Sequence, residues 1–195
     1  MKYVRLMVGQ VIASFSIAMV IACNMGVFPI TACNMAISNI FGISFGLANM
    51  LVEVFMIVYS VYRGEKIGIA TIINAIVGGF LIDGFLLFIP QSRFMVLGIL
   101  LLPVGWAIIG KQGLGEPASN SLMRALMKQT CKGVGFIRTI EEIVFMLIGL
   151  IGGAPVTIFT VILSVGFGSV LSAIYKAMKY EPTKIVHKTL TFKRR

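Results

Sequence analysis

Gly26-Val27-Phe28-Pro29-Ile30-Thr31-Ala32-Cys33-Asn34-Met35-Ala36-Ile37-Ser38-Asn39-Ile40-Phe41-Gly42 is the stretch that decides the fold. Between its turn residues lies an apolar run of only 12 positions, 30 to 41, which also holds Thr31, Asn34, Ser38 and Asn39. A lipid-crossing helix needs about 20 apolar residues, so this segment is too short and too polar to span. Yet the surrounding chain of 195 residues is 58% hydrophobic and 12% charged, with mean hydropathy +0.98. A water-soluble domain of that size could not cover such a core. The segment therefore reads as a half-helix or re-entrant hairpin, which a membrane tolerates only where protein or a water cavity surrounds the broken backbone.

A second such segment covers 117 to 131, after Gly113-Leu114-Gly115-Glu116-Pro117 and before Gly133 and Gly135, and it carries Arg124 and Lys128. Around the two lie apolar runs at about 6 to 24, 47 to 62, 67 to 89, 94 to 110, 136 to 152 and 155 to 175. Six crossings consume about 120 residues, which leaves loops and half-helices and no room for a separate soluble domain. The expectation is an all-α membrane protein with one transmembrane domain over 1–178 and a basic cytoplasmic tail over 179–195.

The 17 Lys and Arg against 7 Asp and Glu sit at chain ends and span junctions. That is the distribution of membrane topology, not of a nucleic-acid-binding face. Lys2 and Arg5, Arg63 and Lys66, Lys111 through Arg138, and the run from Lys176 mark cytoplasmic ends, whereas the loops at 25–29 and 152–155 carry no charge. Both termini then lie on the cytoplasmic side of the cell membrane, provided each short segment returns to the side it left. The tail, with Lys184, Lys188, Lys193, Arg194 and Arg195, would rest on anionic lipid or be solvated. The apolar run to Ala22 is too long for a signal sequence and lacks a cleavage site, so it reads as a retained span. Cys23, Cys33 and Cys131 form no paired motif and His187 is the one histidine, so neither a disulfide framework nor a metal site is expected, and no cofactor is implied.

A shift of 89 residues superposes Gly9 on Gly98, Gly26 on Gly115, Gly46 on Gly135, Glu53 on Glu142, Gly64 on Gly153, Thr71 on Thr160 and Gly79 on Gly168. Random placement of the glycines gives about one glycine match, against the five seen here. Glycine recurring at every span end of a tight bundle is one explanation. A duplicated unit is the other: span, half-helix, span, span, over about 5–89 and 94–178. Three crossings per unit turn the second copy upside down, so the six transmembrane helices form two inverted three-span repeats, an arrangement that places substrate between the repeats in many secondary transporters.

Several residues then become candidates. Glu53 lies well inside the second span with Asn49 one turn before it, and an ionisable group in hydrocarbon is either functional or a neutral acid bonded within the bundle. Its repeat partner Glu142 has Arg138 at i−4 and reads first as an ordinary helix pair; Glu53, Arg138 and Glu142 are the coupling candidates. Asp83 reads as a boundary group that reaches the surface or pairs with Arg93. Pro29 with Thr31, and Pro117 with Ser119 and Asn120, place free N–H groups and hydroxyls at two half-helix starts, suited to an anionic group or to simple capping. Asn24, Asn34 and Asn74 would line the same cavity or bond between helices. Patterns such as Ala18-x-x-x-Ala22 and Gly149-x-x-x-Gly153 fit close helix contact within one subunit and give little support for an oligomer.

Nearly the whole chain resembles the YczE/YyaS/YitT family of bacterial membrane proteins. The similarity rests on Gly26-Val27-Phe28-Pro29, Gly115-Glu116-Pro117, Gly68-Ile69-Ala70-Thr71 and the stretch from Arg138 to Gly152-Gly153. The chain departs from that pattern in having Thr31 and Ser119 where family members often carry an acid, and Thr157-Ile158-Phe159-Thr160 at the second Gly-Thr step. The resemblance implies small-solute transport.

The expected function is a secondary transporter that moves a small polar or anionic organic solute by alternating access. The alternatives are a passive small-solute channel and the substrate-binding membrane subunit of an energised importer. Its partners would be lipid and solute, not nucleic acid. No Ser/His, Cys/His or paired-carboxylate arrangement falls within the spans, so an enzyme is not expected.

Overall fold

The computed structural model describes residues 1–89 and 94–179. Among these are eight helices and no strand: α1 (Lys2–Cys23), α2 (Pro29–Phe41), α3 (Phe45–Tyr62), α4 (Ile69–Phe88), α5 (Met95–Gly110), α6 (Ala118–Thr130), α7 (Val134–Ile151) and α8 (Ile158–Ala177). Both short segments are helices of 13 residues. Helices α1, α3 and α4 are long and apolar enough to cross a membrane; α5 and the 158–167 part of α8 are apolar but shorter. Large apolar side chains such as Phe55, Phe80, Leu147 and Val165 stand exposed along α3, α4, α7 and α8. A soluble monomer does not carry so much continuous apolar surface, and the molecule has the surface and helix lengths of a membrane protein. The basic residues of the tail beyond Lys179, and Arg93, lie outside the described residues.

Element boundaries recur at a spacing of 89 residues: α2 with α6, α3 with α7, and α4 with α8 start and stop in register. So do the left-handed backbone positions, Asn24 with Gly113, Gly26 with Gly115, Gly42 with Cys131 and Gly64 with Gly153. Pro29 opens α2 while Pro117 stands just before α6, so the one-residue offset between the two prolines does not displace the helix start.

Helix α1 packs chiefly on α5, and small residues let the backbones approach. A side chain at Gly9 would meet the Gly105 carbonyl and Ile109; one at Gly98 would meet Val20, and Ser16 donates to the Gly98 carbonyl. Early α1 thus lies against late α5, so the pair is antiparallel. The turns that follow them, 24–28 and 111–117, therefore stand at opposite ends of the molecule. Helix α2 lies along α7, with Ala32 against Gly149, Ala36 against Gly152, and Asn39 donating to the Gly152 carbonyl at 3.2 Å. It therefore heads for the end where α7 finishes, and its start sits deep. Helix α6 lies along α3 in the same sense, Ala118 near Val52 and Met56, and Gln129 accepting from the Tyr59 hydroxyl at 2.8 Å.

Each turn is held by the start of a helix from the other half of the chain. Thr157 donates its hydroxyl to the Met25 carbonyl at 2.6 Å, and the Val27 N–H donates to Thr160 Oγ1 at 3.3 Å. In the other half Thr71 donates to the Glu116 carbonyl at 2.6 Å and the Ala70 N–H to the Leu114 carbonyl at 3.0 Å. Gly26 and Gly115 sit at φ 136° and 138°, and a Cβ at either would strike the threonines opposite. The altered step Thr157–Thr160 therefore keeps the contact made by Gly68–Thr71. Asp83 pairs inward, accepting from the Gly46 N–H at 2.6 Å at the start of α3, where α3 and α4 touch backbone to backbone at Gly46 and Gly79.

Replacing Thr71 with the isosteric valine leaves the Glu116 carbonyl without a donor and should cost about 1–3 kcal/mol. Thr160→Val should cost a similar amount at the other turn. Thermal unfolding in detergent checks both, and an unchanged midpoint for each would show that these bonds do not hold the turns.

Candidate functional site

Midway along the molecule a cavity of about 60 Å³, room for a few waters or a small solute, is lined by parts of seven helices. The middle of α1 contributes Gln10 and Ser14, α3 contributes Asn49 and Glu53, α4 contributes Asn74, α5 contributes Trp106 and α7 contributes Arg138. Both half-helix starts reach it, through Ile30 and Thr31 of α2 and through Pro117, Ala118 and Ser119 at α6. The sequence places Pro at each of these starts, which presets the entry turn and carries no N–H of its own. In the first turns the Ala32 N–H bonds the Phe28 carbonyl at 2.8 Å and the Asn120 N–H the Pro117 carbonyl at 3.0 Å, which leaves the N–H groups of residues 30, 31, 118 and 119 to meet whatever occupies the cavity.

Glu53 is the centre of the polar network. Asn74 Nδ2 donates to both of its oxygens, at 3.1 and 3.0 Å, and Asn49 Nδ2 approaches Oε1 at 3.5 Å. Asn34 Nδ2 donates in turn to Asn49 Oδ1 at 2.8 Å. On the facing side Gln10 Nε2 donates to Ser14 Oγ at 3.4 Å, and Ser14 donates to the Gly78 carbonyl at 3.4 Å. Arg138 is held by two glutamates one turn on, Nε to Glu142 Oε1 at 3.1 Å and Nη1 to Glu141 Oε2 at 3.6 Å.

Of the residues expected from sequence, Thr31, Asn34, Glu53, Asn74, Pro117, Ser119 and Arg138 come together at the cavity. Asn24, Pro29, Asn120 and Glu142 do not line it. Asn24 is the exposed left-handed cap of α1, because the chain must reverse there. Pro29 is buried one residue before the cavity wall, Asn120 donates to Glu116 Oε2 at 3.4 Å, and Glu142 serves as the helix-pair partner of Arg138. Gln10 and Ser14 are lining residues that the sequence did not single out. Both are polar positions on one face of a span, spaced by four, and that spacing was the available signal.

A second polar cluster closes the end of the molecule at the 111–117 turn. Arg124 binds Glu65 through Nε at 3.2 Å and Glu116 through Nη1 at 2.7 Å, and Lys128 binds Glu65 at 2.5 Å. Glu65 and Glu116 are 6% and 8% exposed, whereas Arg124 and Lys128 are 20% and 54% exposed, so the carboxylates are buried and their cations face outward. The opposite end has no charge in residues 24–29 or 152–157 and closes on threonine hydroxyls instead.

A family model covers residues 1–178. The chain belongs to the DUF6198 family, a family of unknown function. No curated protein and no solved structure matches the chain. For this member of the family, the chemistry must therefore be read from the cavity and the ionic cluster themselves.

Arg124→Gln leaves the nearly buried Glu116 without its cation, while Glu65 keeps Lys128, and should lower stability by about 2 kcal/mol, less than a fully buried pair because the arginine is 20% exposed. Lys128→Gln, at a side chain 54% exposed, should cost about 0–1 kcal/mol. Unfolding midpoints of the two variants give the comparison, and equal losses would contradict the assigned roles.

Proposed function

We propose that this protein is a secondary transporter of a small polar or anionic organic solute, working by alternating access. One observation carries the reading: two short-helix starts, entered from opposite ends of the molecule, reach one cavity whose lining includes Gln10, Ser14, Asn34, Asn49, Glu53 and Asn74. Helix N-termini favour negative charge, and broken helices meeting between repeats at the midplane are how transporter folds present substrate sites.

The recurrence of helix boundaries and left-handed positions at 89 residues supports two repeats, and the opposite placement of their turns supports inversion. Six crossings in the cell membrane follow. The end that gathers Arg63, Glu65, Lys66, Lys111, Glu116, Arg124 and Lys128 is the basic end, and the positive-inside rule puts it and both termini in the cytoplasm. Glu53 is the coupling residue of this reading, with the Arg138–Glu142 pair as its counterpart in the second half. The resemblance to YczE/YyaS/YitT proteins points the same way.

Two experiments test it. Single cysteines in a cysteine-free background should label from outside at Met25 and Ile151 and from inside at Tyr62 and Lys132, all exposed positions; Met25 and Lys132 labelling from one face would defeat the inversion. Solutes picked by thermal shift over vitamins, amino acids and organic anions should show saturable uptake and counterflow in proteoliposomes. Folded Asn34→Leu protein should lose uptake at least tenfold. Flux without saturation or counterflow would indicate a channel, and co-purification with an ATPase would indicate an importer subunit.

A further inference from the structure

The two hydrogen-bond chains at the cavity have directions set by the groups that end them. A backbone carbonyl has no proton to give, so Ser14, which donates to the Gly78 carbonyl, must accept from Gln10 Nε2. Gln10 Oε1 is then left without a partner. The other chain ends at the Glu53 carboxylate, which accepts from Asn74 and Asn49. Asn49 therefore turns its Oδ1 to Asn34 Nδ2, and Asn34 Oδ1 is left without a partner. Gln10 and Asn34 are each 2% exposed. Buried acceptors in folded proteins are almost always paired, yet these two amide oxygens have no partner, and the residues that carry them line the same cavity as Glu53.

No cation of the described residues neutralises Glu53. Arg138 shares the cavity but is taken up by Glu141 and Glu142. We infer that the cavity binds a monovalent cationic group among Gln10 Oε1, Asn34 Oδ1 and the Glu53 carboxylate, either the ammonium of the transported solute or a sodium ion carried with it. This rests on the reading of the cavity as the transport site. One carboxylate balances one positive charge, and the three N–H donors of a primary ammonium match three acceptors. A calcium-like ion would call for six to eight oxygens, several of them carboxylate, and among the described residues no group of three acidic, histidine or cysteine side chains is placed to hold a metal ion. The anionic part of a solute would meet the half-helix starts at Thr31 and Ser119, which face the same cavity.

The test is thermal unfolding of the purified full chain at constant ionic strength in N-methylglucamine chloride, exchanged for sodium chloride, methylammonium chloride or tetramethylammonium chloride. A rise of a few degrees with sodium or methylammonium, and none with tetramethylammonium, is expected. A response to methylammonium alone assigns the charge to the solute, and a response to sodium alone assigns it to a co-transported ion. Glu53→Gln should abolish the rise, and Gln10→Met, of similar length, should weaken it severalfold should the first variant fold poorly. Counterflow in proteoliposomes is measured alongside. Saturable counterflow in a protein whose stability ignores all three cations overturns this inference and leaves the transporter intact, whereas cation-specific stabilisation lost in Glu53→Gln without any flux upholds the site and removes the transporter. A full response retained in both variants overturns the assignment.

Discussion

The rest of the structure depends on how two interruptions of helical backbone find their hydrogen-bond partners. A break inside an apolar fold frees N–H and carbonyl groups whose burial without partners is costly. Here each break is bonded by the opening turn of a helix from the other half: Thr157 and Thr160 serve Met25 and Val27, while Ala70 and Thr71 serve Leu114 and Glu116. The exchange is reciprocal, so neither half can settle its own turn. It also explains why Gly26 and Gly115 have no side chain, since a Cβ at either would displace the threonine that completes the bond.

Once the turns are held there, the positions of the half-helices follow. The antiparallel contact of α1 with α5 sends the turns to opposite ends, and the small-residue contacts at Ala32, Ala36, Gly149 and Gly152 lay α2 along α7 with its start deep in the fold. Helix α6 does the same along α3. Two positive helix ends are thereby aimed at one place, and the polar side chains at the middle of α1, α3 and α4 close around it.

Helix boundaries recur at 89 residues, but the polar side chains do not. Positions equivalent to Asn34, Asn49 and Asn74 are Met123, Arg138 and Leu163, so the first half supplies most of the polar wall and the second a paired arginine. The ends differ as well: ion pairs among Glu65, Glu116, Arg124 and Lys128 close one, and neutral hydroxyls close the other.

Length and hydropathy were enough to mark the long apolar helices and the two short polar ones, because spanning length is a property of local sequence. The 89-residue spacing of the turns was legible for the same reason: turns need glycine at fixed places, and Gly26 with Gly115 and Gly64 with Gly153 both take left-handed backbone. Glu53 stood out through the cost of an acid in an apolar run, and the Arg138–Glu142 pair through helical spacing alone. Other facts were settled only by packing. Asn24 and Asn34 are the same residue type ten positions apart, yet one caps α1 at the surface and the other bonds Asn49 at the cavity. Asp83 sits near a chain turn but pairs across to Gly46, and Glu65, Glu116 and Arg124 meet from three distant segments. Spacing along a chain shows which residues share a helix face; which face meets which is decided when helices from the two halves close on each other, and that contact is long-range by construction.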